Sequence, residues 1–188
     1  MKRILGKGIG TAAAVAALAL WGGGAAGTAA RAQVLGGPTV PKPFALKLGS
    51  YIPTGSEARK AGGSGMLLLE ADYTIQNLID SNSQTVVSIG VTGRDDLYMI
   101  PFTVSQVFRD RDNTIGGRGV YYGAGLGVYV VKLDLPDTSD ETKNLLGGFL
   151  MAGLDLQQNL FAEVRYHYIA NYDKKNINGF QLTVGTRF

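Results

Sequence analysis

From residue 44 onward the chain repeats one pattern. Stretches of about ten residues alternate apolar with polar or glycine, and each is followed by a polar connection rich in Gly, Asp, Asn and Ser. Alternation with period two places successive side chains on opposite faces of an extended strand. The last stretch shows it most clearly: Phe180, Leu182, Val184, Thr186 and Phe188 share one face, and Gln181, Thr183, Gly185 and Arg187 share the other. The same reading predicts eight strands, at 44–52, 66–75, 84–92, 97–108, 120–131, 144–156, 160–169 and the terminal stretch. Between them lie a polar loop at 53–65, turns at 76–83, 93–96 and 157–159, a polar segment ending in glycines at 109–119, an acidic loop at 133–143 and a polar loop at 170–178. Pro101 inside the fourth strand points to a bulge or locally poor pairing. The sixth strand is apolar on both faces in its middle; Asp155 sets Leu150, Ala152 and Leu154 with the other apolar rows.

Both soluble and membrane barrels have one apolar and one polar face, so the polar row decides between them. It contains Lys47, Glu70, Asp72, Glu163, Arg165, His167 and Arg187, together with Gly123, Gly125 and Gly127. On an outer surface in water, three alternate glycines would lose conformational entropy and pack nothing. Inside a small barrel they leave room for long side chains from the opposite wall. The acids and bases there pair with one another, as buried charges must. The expected fold class is therefore all-β, an eight-stranded antiparallel up-and-down transmembrane β-barrel. Leu, Val and Ile face lipid, and Phe44, Tyr73, Tyr98, Tyr122, Tyr166, Tyr168 and Phe188 join the aromatic girdles. A soluble calyx with an apolar ligand is the competing reading.

The first 32 residues change the charge argument. Lys2, Arg3 and Lys7 precede an apolar stretch from Ile9 to Trp21, and small residues lead to Ala30-Arg31-Ala32. That is the pattern of a secretory signal peptide, with cleavage expected after Ala32 and a single barrel domain over 33–188. The leader holds four of the 18 basic residues and none of the 15 acids, so the rest carries 14 bases against 15 acids. The high pI belongs to the leader, and no basic cluster remains for nucleic acid. Later in the chain no run of about 18 apolar residues is available for a membrane helix. The chain has no cysteine, which excludes a disulfide framework and a lipoprotein anchor.

Two motifs carry a family resemblance. Tyr121-Tyr122-Gly123-Ala124-Gly125-Leu126-Gly127 resembles the fifth-strand Y-x-G-A-G-L-G of the OmpA/OmpX-like outer-membrane β-barrel family. The ending Gly185-Thr186-Arg187-Phe188 is similar to that family's closing strand, which ends in aromatic-Arg-Phe or similar; Thr186 stands where the aromatic would be. The resemblance implies a cell outer-membrane location, contact with the lipid bilayer and lipopolysaccharide, and insertion by the barrel assembly machinery. The last strand, through Phe180, Leu182, Val184, Gly185 and Phe188, would supply the assembly signal. It implies no single function, because such barrels host several.

Candidate chemistry is sparse. His167 is the only histidine. Lipid A deacylases are barrels with a His-x-Ser pair near the C-terminus, but the serine place here is Ile169, so the base has no nucleophile beside it. Gly123-x-Gly125-x-Gly127 lies within a strand and opens no helix, unlike a phosphate loop. Asp110-x-Asp112 lacks the twelfth-position glutamate of a calcium loop, where Tyr121 stands. Asp134, Asp137, Asp140 and Glu141 read as an exposed acidic loop, with weak divalent-cation bridging to lipopolysaccharide as the alternative. Lys174 and Lys175 could meet phosphates. No cofactor, metal or enzymatic activity is expected. The expected role is structural or surface interaction with the lumen closed by the charged network; the alternative is a narrow channel or transporter for small solutes or hydrophobes.

Overall fold

The computed structural model describes residues 42–75, 83–115, 118–134 and 142–188. The expected leader, the turn at 76–82 and the acids Asp137, Asp140 and Glu141 lie outside these residues. Strands β1 (Phe44–Pro53), β2 (Met66–Ile75), β3 (Ser83–Arg94), β4 (Leu97–Ile115), β5 (Arg118–Leu133), β6 (Thr142–Asp155), β7 (Leu160–Ile169) and β8 (Gly179–Arg187) form a closed barrel in chain order. Every neighbouring pair is antiparallel. Closure is made by β1 on β8, in register from Ala45↔Arg187 to Pro53↔Gly179. Phe44 and Phe188 exchange backbone hydrogen bonds at the seam.

Which face looks outward follows from exposure. Leu126, Leu146 and Leu67 are 74%, 71% and 69% exposed, while Lys47 and Arg165 are 2% and 1% exposed. A soluble barrel would bury those leucines, since each left in water forgoes about 1.5–3 kcal/mol. The soluble calyx is therefore overturned: the apolar rows face out and the ionic rows face in. Exposed aromatics gather at two levels. Phe44 contacts Tyr73 and Phe188, and Phe108 stacks with Tyr122, near the end where β1 begins and β8 stops, called the terminal end below. Tyr166 packs on Phe180 toward the other end, where Tyr98 and Tyr168 also lie.

Two local features differ from the pattern-based expectation, and a third, at Pro101, agrees with it. The 53–65 loop contains a helix, α1 (Ser56–Gly62). Ser-Glu-Ala-Arg-Lys-Ala are good or tolerable helix formers, with Glu57 in the first turn and Arg59 and Lys60 in the last, as the helix dipole favours. The helix stops at Gly63, where φ is +72°. Second, β4 and β5 run through most of the expected 109–119 turn. Their hairpin extends past both neighbours, because β3 pairs only as far as Ser83↔Phe108 and β6 only as far as Val120↔Leu154. The two-stranded extension is held by Thr114↔Gly119 and Ile115↔Arg118 after a register shift. Third, Pro101 pairs on the β5 side, but the β3 ladder is interrupted between Ile89↔Phe102 and Thr92↔Met99, as a missing N–H requires.

The inward glycines accommodate neighbours in an unforeseen way. Their closest partners include aromatic rings from the adjacent strand, in place of long side chains from the opposite wall. A Cβ on Gly153 would lie 2.0 Å from the Tyr121 ring, on Gly125 2.5 Å from Phe149, and on Gly185 2.5 Å from Phe161. In each case the ring and the glycine are cross-strand partners. The absent side chain lets the ring lie flat on the wall, and the barrel stays narrow. Gly153→Ala should therefore destabilise the barrel by about 1–3 kcal/mol through overpacking. Gly119→Ala, where the nearest atom is 3.4 Å away, should be close to neutral. Urea unfolding midpoints followed by gel mobility check the difference.

Candidate functional site

The interior is built in three layers, each set by strand parity. At the end away from the start of β1, Met66, Leu97, Met99, Tyr129, Val131, Leu133, Ile169, Tyr172 and Ile177 form an apolar core with Ala58 and Ala61 of α1. The helix is a stopper pinned by the surrounding loops. Thr54 N–H donates to Asn178 O at 2.7 Å, and Asp96 N–H donates to Ala61 O at 3.1 Å. Gly55 lies so close to Asn176 that an added Cβ would sit 1.8 Å from its carbonyl oxygen. A tight turn, with Asp173 and Lys174 both at positive φ, brings Tyr172 back onto this core.

The middle layer is ionic. Lys47 from β1 reaches three carboxylates: Glu70 Oε1 at 2.9 Å, Asp72 Oδ2 at 2.6 Å and Glu163 Oε1 at 3.0 Å. Arg165 from β7 closes the cluster, with Nη1 3.0 Å from Glu70 and Nε 2.6 Å from Glu163. All five side chains are almost wholly buried. Two aromatic contacts add to the cations' surroundings: Arg165 lies 4.7 Å from the Phe149 ring centre and Lys47 5.9 Å from that of Phe161.

A directional hydrogen-bond chain joins the ionic layer to the apolar one. Gln181 Nε2 donates to Glu70 at 3.2 Å, so its Oε1 faces His167 Nε2 at 2.9 Å. The imidazole then carries its proton on Nε2 and accepts at Nδ1 from the Tyr129 hydroxyl, 2.8 Å away. Both ring nitrogens are occupied and the ring is enclosed by Tyr51, Tyr129 and Phe149. A base held this way is not presented to a substrate.

The third layer lies at the terminal end. Tyr121, Phe149, Met151, Phe161, Ala45, Val86 and Val107 make a second apolar cluster. Beyond it, Asp155 of β6 accepts from Arg109 Nη1 of β4 at 2.9 Å and from Arg187 Nη1 of β8 at 2.8 Å. Strands β4 and β8 stand on opposite sides of the ring. The bridge thus spans the mouth.

The structure brings Lys47, Glu70, Asp72, Glu163 and Arg165 into one cluster, with His167 linked to it through Gln181. Arg187 stands apart, at the mouth. Phe180, Leu182, Val184 and Phe188 face outward on or beside β8, while Gly185 faces inward beneath Phe161. Asp134 is exposed and donates its N–H to Asp96 O; Lys174 is exposed, and Lys143 pairs with Asp173. Tyr121, Tyr129 and Gln181 already stood on the inward face of the alternation, which was the signal for their part in the network. Arg109 gave no such signal, because its segment reads as a turn.

No protein-family model and no curated protein sequence matches the chain. Solved structures do match its fold. Neisserial surface protein A is 17% identical with a TM-score of 0.55, over 77% of this chain and 94% of that one. The Yersinia pestis outer membrane protein Ail, solved in a phospholipid bilayer nanodisc, is 17% identical with a TM-score of 0.52, over 79% of this chain and all of that one. The N-terminal β-barrel domain of Pseudomonas aeruginosa OprF is 13% identical with a TM-score of 0.50, over 78% and 98%. The chain therefore has the fold of the small eight-stranded barrels typified by these proteins.

Removing one partner of a buried ion cluster leaves uncompensated charge, which costs about 3–5 kcal/mol. Lys47→Met should have that effect, since three carboxylates would share Arg165 alone. Lys42→Met, at the rim, should cost under about 1 kcal/mol. Chemical unfolding of the two variants in the same detergent measures both.

Proposed function

We propose that this chain is a small integral outer-membrane protein with a structural or surface-interaction role, and that its own side chains close its lumen to solutes. The observation that carries the reading is the stacking of three filled layers beneath a helical stopper. The charged cluster spans the middle, and the enclosed space at the terminal-end mouth amounts to about 30 Å³, room for about two water molecules. A continuous water path needs far more.

The leader over 1–32, cleaved after Ala32, delivers the chain across the inner membrane. Strand β8 with Phe188 is the segment the assembly machinery would recognise. The terminal end then faces the periplasm, and the end carrying α1 faces outward, where lipopolysaccharide meets the rim. This orientation agrees with the usual excess of length in outer connections. The enclosed His167 and the isoleucine at 169 support a non-enzymatic role.

The second reading is a narrow channel, and one observation favours it: the central plug is ionic, and ionic partners can exchange. Planar-bilayer recordings of the refolded protein separate the two. Closed bilayers without stable unitary steps are expected. A persistent, reproducible conductance would overturn the plugged reading.

A further inference from the structure

The terminal-end mouth carries more positive charge than its structural role needs. Arg109 and Arg187 share a single carboxylate, Asp155, each through one Nη1 hydrogen. Arg109 spends one further donor, Nε, on the neutral Gln84 at 3.2 Å. A guanidinium has five N–H donors, so most of those on both residues have no protein acceptor among the described residues. Lys42 stands at the same rim and, among the described residues, donates to a neutral acceptor, Asn159 Oδ1, at 2.5 Å. At the rim, two guanidiniums and an ammonium therefore stand around Asp155, while the next acids inward, Asp72 and Glu163, are already held by Lys47 and Arg165.

The guanidiniums are also held in place before any ligand arrives. Arg187 Cζ lies 4.2 Å from the Phe161 ring centre and 5.6 Å from that of Tyr121, and Arg109 Cζ lies 4.6 Å from Tyr121. Stacking on aromatic faces fixes each planar fork while leaving its edges available. Both residues, with Lys42, line the outer part of the 30 Å³ cavity behind the bridge, whose inner wall holds Asp72 and Glu163 with Arg165, and both are partly open to solvent at the rim.

We propose that this mouth binds a phosphate group. Two pre-positioned forks match the oxygen edges of a tetrahedral oxyanion, which each engages with paired N–H bonds. Asp155 occupies part of the site as an internal stand-in for that anion. The excess of cations at the rim draws a multiply charged oxyanion over a neutral or cationic solute. The phosphate can come from two sources: a soluble phosphate or phosphate ester, or the headgroup of a phospholipid in the adjoining leaflet. The site does not depend on whether the lumen conducts.

The test is NMR of the folded full-length chain in phosphate-free maltoside micelles, observing the arginine Nε–Hε signals. Inorganic phosphate is titrated at constant ionic strength held by sodium chloride. Saturable shifts of the Arg109 and Arg187 signals are expected. Asp155→Asn removes the competing negative charge and should tighten phosphate binding about tenfold, whereas a purely structural Asp155 would leave affinity unchanged or weaker. Arg109→Gln with Arg187→Gln should abolish saturation. A parallel titration with short-chain phosphatidylglycerol identifies the source: saturation at lower concentration by the lipid marks a headgroup site, and stronger saturation by inorganic phosphate marks a soluble ligand. Linear, non-saturating shifts with both probes would overturn the proposal, as would an Asp155→Asn variant that binds phosphate no more tightly. The Asp155→Asn arm still decides the matter if the double arginine variant does not fold.

Discussion

Every backbone N–H and C=O within a hydrocarbon layer needs a partner from the protein, because lipid offers none. That requirement makes the β1–β8 seam the contact on which the rest depends. Once the sheet closes, each strand has two neighbours and one inside. The inside is then so narrow that every inward residue must be chosen against the opposite wall. The outward residues need only be apolar, and most are leucine, valine, isoleucine, alanine or phenylalanine, while the polar pair Thr85 and Gln106 satisfy each other by a hydrogen bond.

The interior solves two problems with different chemistry. Volume is managed by pairing rings with glycines, so that Tyr121, Phe149 and Phe161 lie flat over Gly153, Gly125 and Gly185. Charge is managed by concentration. Lys47 and Arg165 hold three acids between two apolar layers. A cluster of that kind contributes little net stability over a well-packed apolar core, and losing one member is costly. Its value lies in specifying register, since sliding β1 against β8 by one residue would turn Lys47 to the lipid.

Much of this was legible in the alternation alone. Period two assigned Lys47, Glu70, Asp72, Glu163 and Arg165 to one face, and the glycine row said which face must be inside. Parity could not reveal who touches whom across the lumen, because that depends on the stagger between strands. Arg187 reads as part of the central cluster by pattern, yet the stagger carries it to the mouth, onto Asp155. Helix α1 was hidden by its length: seven residues with two buried alanines do not produce a periodic signal. The longer β4–β5 hairpin was hidden by its charged composition, which reads as a turn although pairing holds it extended.

The whole arrangement requires that the apolar rows touch lipid. The chain has no cysteine, so single spin labels can be placed at Leu126, Leu150 or Leu182 without further change. In liposomes, electron paramagnetic resonance accessibility should show each label open to oxygen and shielded from a water-soluble nickel chelate. Labels at these positions that are readily reached by the nickel chelate and little affected by oxygen would contradict it.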